Sequence, residues 1–301
     1  MSCHSFPDRR AQFWRGAVLL ALLAIQAGCT QQTESLGSTE AGTPQRVLAL
    51  NPSITEVIFA IGAGDRLVAR TQFSTYPPEV LELPSVGAGL TPDYEAIVRH
   101  APDLVVVSRE RSHELDKLRA LAPVHVVPLL TFEEIAASTI ELGQLLEHEP
   151  EAQQLAQQMR AALEIPTPTE SPRLLLALGQ PNESAPDVWF SKTNSLHGTV
   201  LRAAGFENAI PDEVQGSAHL PLEHLLSVDP DYVVVLLAQD EVSQATLEQH
   251  LAFWQKLETL EAVEQEKVFF VPGTQYFSTG PRLLELVEVL RALHSQDGSQ
   301  P

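Results

Sequence analysis

Three aromatic loop segments carry the side chains best suited to bind a ligand. Phe73-Ser-Thr-Tyr76-Pro-Pro78 sets two rings beside two prolines, and that stiffness lowers the entropy cost of holding a large ligand. Asp187-Val-Trp189-Phe190 and Thr274-Gln-Tyr276-Phe277 also follow strand-like runs. If Phe73, Tyr76, Trp189, Tyr276 and Phe277 face one another across a cleft, they suit a broad, flat, partly apolar chelate such as a corrin or porphyrin. The same rings could equally pack the rims of the fold. Arg109, just past a strand end, and Arg282, in Ser278-Thr-Gly-Pro-Arg282 at the start of a helix, could fork onto an anionic group of that ligand or lie exposed as ordinary helix charges. The histidines are scattered, with no His-x-x-x-His pair and no His-rich loop, which argues against a site for bare zinc or manganese. His197, at the start of a helix over 196–204, is the candidate axial ligand for a chelated metal, and a surface helix-end histidine is its ordinary alternative.

The elements that must position these residues are announced by a phrase that occurs twice. Glu95-Ala-Ile-Val-Arg-His-Ala-Pro102-Asp103-Leu-Val-Val-Val107 returns as Glu223-His-Leu-Leu-Ser-Val-Asp-Pro230-Asp231-Tyr-Val-Val-Val235. Each copy is a short helix, a Pro-Asp turn and a strand whose continuous apolar run fits a parallel sheet covered on both faces. The openings correspond as well. Arg46-Val-Leu-Ala-Leu50 leads to Gly62, and Arg173-Leu-Leu-Leu-Ala-Leu178 leads to Gly205, each glycine standing where a helix C-cap needs positive φ. The sequence therefore predicts an α/β protein of two Rossmann-like lobes with mainly parallel central sheets. In Asn51-Pro-Ser53-Ile-Thr-Glu56, Ser53 and Glu56 have the spacing of a capping box, at a strand end where α/β sheets bind ligands.

Between the lobes, a helix over 131–146 is followed by a second one that has Pro150 in its first turn and ends near Glu164. Leu155, Met159 and Leu163 recur along one side, and the prolines of Ile165-Pro-Thr-Pro-Thr-Glu-Ser-Pro172 stop the helix. One stiff helix, about 15 residues or 22 Å long, restrains opening and closing to small motions. The expected organisation is an N-terminal lobe over 45–147, a bridging helix over 148–165 and a C-terminal lobe over 172–296.

Residues 1–28 read as an export signal: Arg9, Arg10 and Arg15 precede the apolar run Gly16–Ile25, which is too short to span a bilayer comfortably. The following Gln26-Ala27-Gly28-Cys29 resembles a bacterial lipoprotein signal, in which the Cys29 thiol would be lipidated; Gln26 departs from the usual aliphatic residue, and plain secretion is the alternative. Residues 29–44 are polar and Gly/Ser/Thr-rich, as a flexible tether should be. Removing residues 1–28 takes away three Arg and one Asp, leaving 16 basic and 38 acidic residues, a surface that repels nucleic acid. Of the two cysteines, Cys3 leaves with the signal, so the exported body has neither a disulfide nor a thiolate cluster.

Taken in order, Leu50-Asn-Pro-Ser-Ile-Thr-Glu56, Gly64-Asp-Arg-Leu67, Tyr76-Pro-Pro-Glu79, Leu83-Pro-Ser-Val-Gly87, Pro102-Asp-Leu-Val105, Leu196 to Gly205 and Gly280-Pro-Arg282 resemble the periplasmic binding proteins of ABC importers for vitamin B12, ferric siderophores and haem, over about residues 45–296. The resemblance implies a monomeric, lipid-anchored carrier at the periplasmic or cell-surface face of a membrane. Its ligand would be a metal chelate, with a cobalamin-type corrinoid favoured and siderophore or haem as alternatives, and it would have no cofactor of its own. It implies an ABC permease and its ATPase subunits as partners, docked through one surface glutamate per lobe, Glu95 and Glu223. A Rossmann-type enzyme is the competing class. Ile61-Gly62-Ala63-Gly64 has the start of a dinucleotide fingerprint, but it follows a helix and Leu67 stands where the third glycine belongs. A surface lipoprotein without a transport role is a further alternative.

Overall fold

Strands and helices alternate through the chain in the computed structural model, which describes residues 42–108, 115–164, 171–181, 187–210 and 218–297. The first lobe runs β1 (Val47–Ala49), α1 (Pro52–Ala60), β2 (Leu67–Ala69), the antiparallel pair β3 (Gly87–Ala88) and β4 (Thr91–Pro92), then α2 (Tyr94–His100), β5 (Leu104–Ser108), α3 (Leu115–Arg119) and β6 (Val124–Val127). Its sheet is parallel, in the order β2-β1-β5-β6. Every residue of β5 is buried, as its valine run requires of a strand covered on both faces.

After α4 (Phe132–Leu145) and α5 (Glu149–Ala162) come β7 (Arg173–Leu178), β8 (Val188–Trp189), α6 (Leu196–Ala203), β9 (Glu207–Asn208), β10 (His219–Leu220), α7 (Leu222–Val228), β11 (Tyr232–Leu237), α8 (Gln244–Trp254), α9 (Glu261–Glu264), β12 (Val268–Pro272) and α10 (Glu285–Asp297). The second sheet is parallel and ordered β9-β7-β11-β12, which is the order of the first with each strand replaced by its counterpart.

The twice-used phrase is one physical solution used twice. Asp103 accepts hydrogen bonds from the backbone N–H groups of Gln45 and Arg46, both at 2.9 Å, and Asp231 accepts from that of Arg173 at 2.7 Å. Each acidic side chain thus ties the turn to the start of the neighbouring strand. The strand's first arginine reaches back to the carbonyls at the helix end: Arg46 to those of His100 and Ala101, Arg173 to those of Val228 and Asp229. A cation there meets the partial negative charge of unpaired carbonyls. Both helices close on a left-handed residue, Ala101 at φ 41° and Asp229 at φ 43°.

Thr131 and Glu134 form a reciprocal capping box at the start of α4. The 14-residue α5 is about 21 Å long. Its fully buried positions are Ala152, Ala156 and Met159, while Leu155 and Leu163 flank them partly buried. Small residues on this stripe let α4 and α5 come close: a Cβ on Gly143 of α4 would lie 2.2 Å from the Cβ of Ala152. One hydrophobic core runs from Val47 and Val106 through Leu142, Ala152 and Met159 to Leu174, Val200 and Val234, so the lobes share an interior. Among the described residues no helix is long and apolar enough to cross a membrane.

Candidate functional site

The start of α1 faces the second lobe. Asn51 is the N-cap; its side chain accepts from the Ser53 N–H at 2.8 Å, and Pro52 stands at the first helical position, where no donor is needed. The capping box expected of Ser53 and Glu56 therefore does not form, because Asn51 has already satisfied the helix end. Both side chains cross to the other lobe instead. The Ser53 hydroxyl lies 3.0 Å from that of Ser278 and 2.9 Å from that of Thr279. Glu56 accepts a 2.8 Å hydrogen bond from Arg282 Nη2. The Arg282 guanidinium also stacks on Tyr76, 3.8 Å from the ring centroid, in cation–π geometry.

Above this floor opens a cleft of about 480 Å³, lined by Asn51, Ser53, Glu56, Phe73 and Thr75 from the first lobe and by Ala238, Thr274, Phe277, Thr279 and Arg282 from the second. It lies at the carboxyl ends of β1, β11 and β12, where open parallel sheets bind ligands. A more polar recess of about 280 Å³ continues it, sharing Thr75, Thr274 and Arg282 and adding Tyr76, Asp240 and Gln275. The Phe73 loop is pinned from below. Arg70 donates to the carbonyls of Thr71 and Leu83, and the hydroxyls of Thr55, Ser74 and Thr71 form a chain with steps of 3.2 and 2.9 Å. Phe73 itself is 63 % exposed on this fixed loop.

Burial pushes the Glu56 carboxyl above the usual range, opposed by its hydrogen bond and charge interaction with Arg282. Glu56 is only 6 % exposed, and its Oε2, like Arg282 Nε, is buried without a hydrogen-bond partner. Asp240 is held below its usual range, first by the backbone N–H of Thr274 and then by its hydroxyl, at 2.9 and 2.7 Å. Arg282 is the one basic residue lining the cleft and recess among the described residues, and it is already paired.

The structure brings Phe73, Tyr76, Phe277 and Arg282 together at the cleft and sends other expected residues elsewhere. Tyr276 is 6 % exposed and belongs to the core, because its short 3-10 helix turns the ring inward under Phe277. His197 is not an open axial ligand: its Nε2 lies 2.6 Å from the Tyr276 carbonyl, and burial holds its pKa below the usual value. Trp189 does not line the cleft volume; it is 56 % exposed on the β8–β10 ribbon, against the ring of His219. Arg109 and Cys29 lie outside the described residues. Glu95 and Glu223 are exposed on α2 and α7, and one turn on, Val98 and Leu226 are exposed too. No group of three or more His, Cys, Asp or Glu that could hold a bare metal ion occurs among the described residues.

Sequence reasoning placed Ser53 and Glu56 at a strand end where α/β sheets bind ligands but read their side chains as a capping box, and it missed Asp240 altogether. The available signal was Asn51-Pro52, a complete helix start that frees the two side chains after it.

Residues 47–274 match the family model described as periplasmic binding protein. The vitamin B12-binding protein of Yersinia pestis (strain Pestoides F) is 28 % identical over 228 residues, 73 % of this chain and 78 % of that protein. Among solved structures, the periplasmic vitamin B12 binding protein BtuF of Vibrio cholerae aligns with TM-score 0.66 and 24 % identity over 86 % of this chain and 99 % of its own. The periplasmic heme-binding protein BhuT, in complex with two hemes, aligns with TM-score 0.68 and 22 % identity over 85 % and 99 %.

Proposed function

Because this chain belongs to the periplasmic binding protein family, we propose that it is the substrate-binding component of an ABC importer, that it captures a cobalamin-type corrinoid in the cleft between its lobes, and that it delivers this ligand to a permease. The observation that carries the ligand class is the cleft itself: exposed Phe73 and Phe277 and the Tyr76–Arg282 stack stand on rigid loops at the carboxyl ends of the strands. Aromatic faces held in place bind a broad apolar ring system with little ordering cost. The charge pattern favours a corrinoid over haem or a polyanionic siderophore. Glu56 neutralises Arg282 and Asp240 adds a carboxylate, so a ligand rimmed with carboxylates finds no unpaired cation among the described lining residues. The 28 % identical vitamin B12-binding protein supports the same choice. In this reading Cys29 carries a lipid anchor, Glu95 and Glu223 meet the permease, the domain limits are those expected from the sequence, and the protein works as a monomeric carrier without catalysis.

The test is a binding screen of the purified soluble body against cyanocobalamin, hemin and ferric chelates, followed by absorbance and calorimetry. Cobalamin is expected to bind most tightly, and Phe73→Ala or Tyr76→Ala is expected to weaken it by about 1 to 3 kcal/mol. Preference for hemin, or unchanged affinity in both variants, would overturn the assignment.

A further inference from the structure

β11 and β12 are parallel neighbours in the second sheet, with Leu237 opposite Pro272 at their carboxyl ends. The segments that leave these strands are tied to each other. The Gly273 N–H donates to the Leu237 carbonyl at 3.0 Å, and Thr274 donates twice to Asp240, from its backbone N–H at 2.9 Å and from its hydroxyl at 2.7 Å. Both bonds end on Oδ1. Oδ2 has no hydrogen-bond partner among the described residues, and Asp240 is exposed where it lines the polar recess that continues the cleft.

Asp240 is the one acidic residue in the lining of that recess. The Thr274 N–H, then the Thr274 hydroxyl, and also the charge of Arg282 hold its carboxyl below the usual range, with burial opposing them, so it stays ionised at neutral pH. The one basic residue, Arg282, already meets Glu56 at 2.8 Å, which leaves the recess with an uncompensated negative charge. Its other polar lining residues, Thr75, Tyr76, Thr274 and Gln275, bring hydroxyls and an amide. Such a surface sorts ligand groups that shape cannot separate. A carboxylate entering the recess meets a second carboxylate, and like charges brought together across a contact are strongly disfavoured. A primary carboxamide has nearly the same size and brings N–H donors for Oδ2 and a carbonyl that a hydroxyl can donate to. A hydrogen bond to an ionised acceptor is about twice as strong as one between neutral groups.

Resting on the corrinoid reading above, we propose that the recess is the subsite for one peripheral carboxamide of the ligand, and that Asp240 is the residue by which this chain rejects an otherwise identical ligand bearing a carboxylate there. Cyanocobalamin and the isomers in which one peripheral carboxamide at a time has been hydrolysed to the acid are titrated by calorimetry into the full soluble body at neutral pH. Wild type is expected to bind at least one mono-acid isomer about 100-fold more weakly than cyanocobalamin, the order of a like-charge penalty in a contact. Asp240→Asn keeps the size of the side chain and an oxygen for Thr274. It is expected to bring that ratio below about 10-fold, while cyanocobalamin itself loses no more than about 10-fold with the charge-assisted bond. Phe73→Ala is expected to weaken every form alike and leave the ratio as in wild type, because its contact with the ring system is the same in each. Equal affinity of wild type for every isomer, or an undiminished penalty in Asp240→Asn, would overturn the subsite and leave the corrinoid reading standing. Failure of wild type to bind cyanocobalamin would overturn that reading and the subsite with it.

Discussion

Removing Arg282 should expose how much of the molecule's stability is tied to its cleft. In Arg282→Ala the Glu56 carboxylate, 6 % exposed, loses its 2.8 Å partner and keeps its burial. Breaking a buried pair from one side costs about 3 to 5 kcal/mol; because Arg282 is itself 19 % exposed, the low end, about 3 kcal/mol, applies. Loss of the stack on Tyr76 adds about 1 kcal/mol. Together these approach half of a typical stability of about 5 to 15 kcal/mol. The sign with pH follows from the causes acting on Glu56. Burial raises its pKa and Arg282 lowers it, so the variant has a still higher pKa, and its folded form takes up a proton where the unfolded chain does not. The cost is therefore largest at pH 7 to 8 and shrinks as pH falls toward 5. Urea unfolding, read from the fluorescence of fully buried Trp254, measures it. Glu56→Gln with Arg282→Met, which removes both charges, should cost at least 2 kcal/mol less than the two single changes added together. A loss under 1 kcal/mol for Arg282→Ala, a loss independent of pH, or additivity within about 0.5 kcal/mol would refute the reasoning.

Other expected outcomes concern separate parts of the chain. Cys29→Ser should abolish lipidation, leaving soluble protein or unprocessed precursor; unchanged detergent partitioning would remove the anchor. Glu95→Arg with Glu223→Arg should leave ligand affinity intact and abolish ligand-stimulated ATP hydrolysis by the cognate permease; undiminished hydrolysis would make both ordinary helix charges. Gly143→Val drives two methyl groups into Ala152, already 2.2 Å from a single added carbon, and should cost about 1 to 3 kcal/mol or more in thermal unfolding. His197 is held below 6.5 by burial, so the unfolded chain takes up its proton first. Stability should fall as pH drops below about 6.5 and fall less steeply in His197→Asn; equal slopes in urea midpoints from pH 8 to 5.5 would contradict this.

What the sequence made legible was written into the backbone. Proline, aspartate and a valine run specify a turn, the tie of Asp103 or Asp231 to its neighbouring strand, and a strand buried on both faces, so the two lobes could be read from this repeated phrase together with the matching openings that lead to Gly62 and Gly205. Gly62 and Gly205 do adopt positive φ, at 85° and 92°. The cleft was legible only in part, because its chemistry depends on partners far apart in sequence. Glu56 and Arg282 are 226 positions apart, and no local pattern distinguishes a capping glutamate from one that crosses to another lobe. Tyr276 and Phe277 show the same limit at single-residue scale. They are adjacent aromatics in one short helical turn, and whichever ring faces the core leaves the other to face the cleft.

The shared interior has a consequence for traffic. If the chain is the carrier proposed above, its two halves, welded through α4, α5 and one continuous core and bonded by Ser53 and Glu56 across the floor, would keep nearly one shape whether empty or loaded. Such a carrier announces its cargo poorly by posture. Empty and loaded copies would then compete for the same docking places on the proposed permease, and once those are filled the rate of import would follow the loaded fraction of the pool and not the amount of carrier. Overproducing the carrier at scarce ligand would slow uptake.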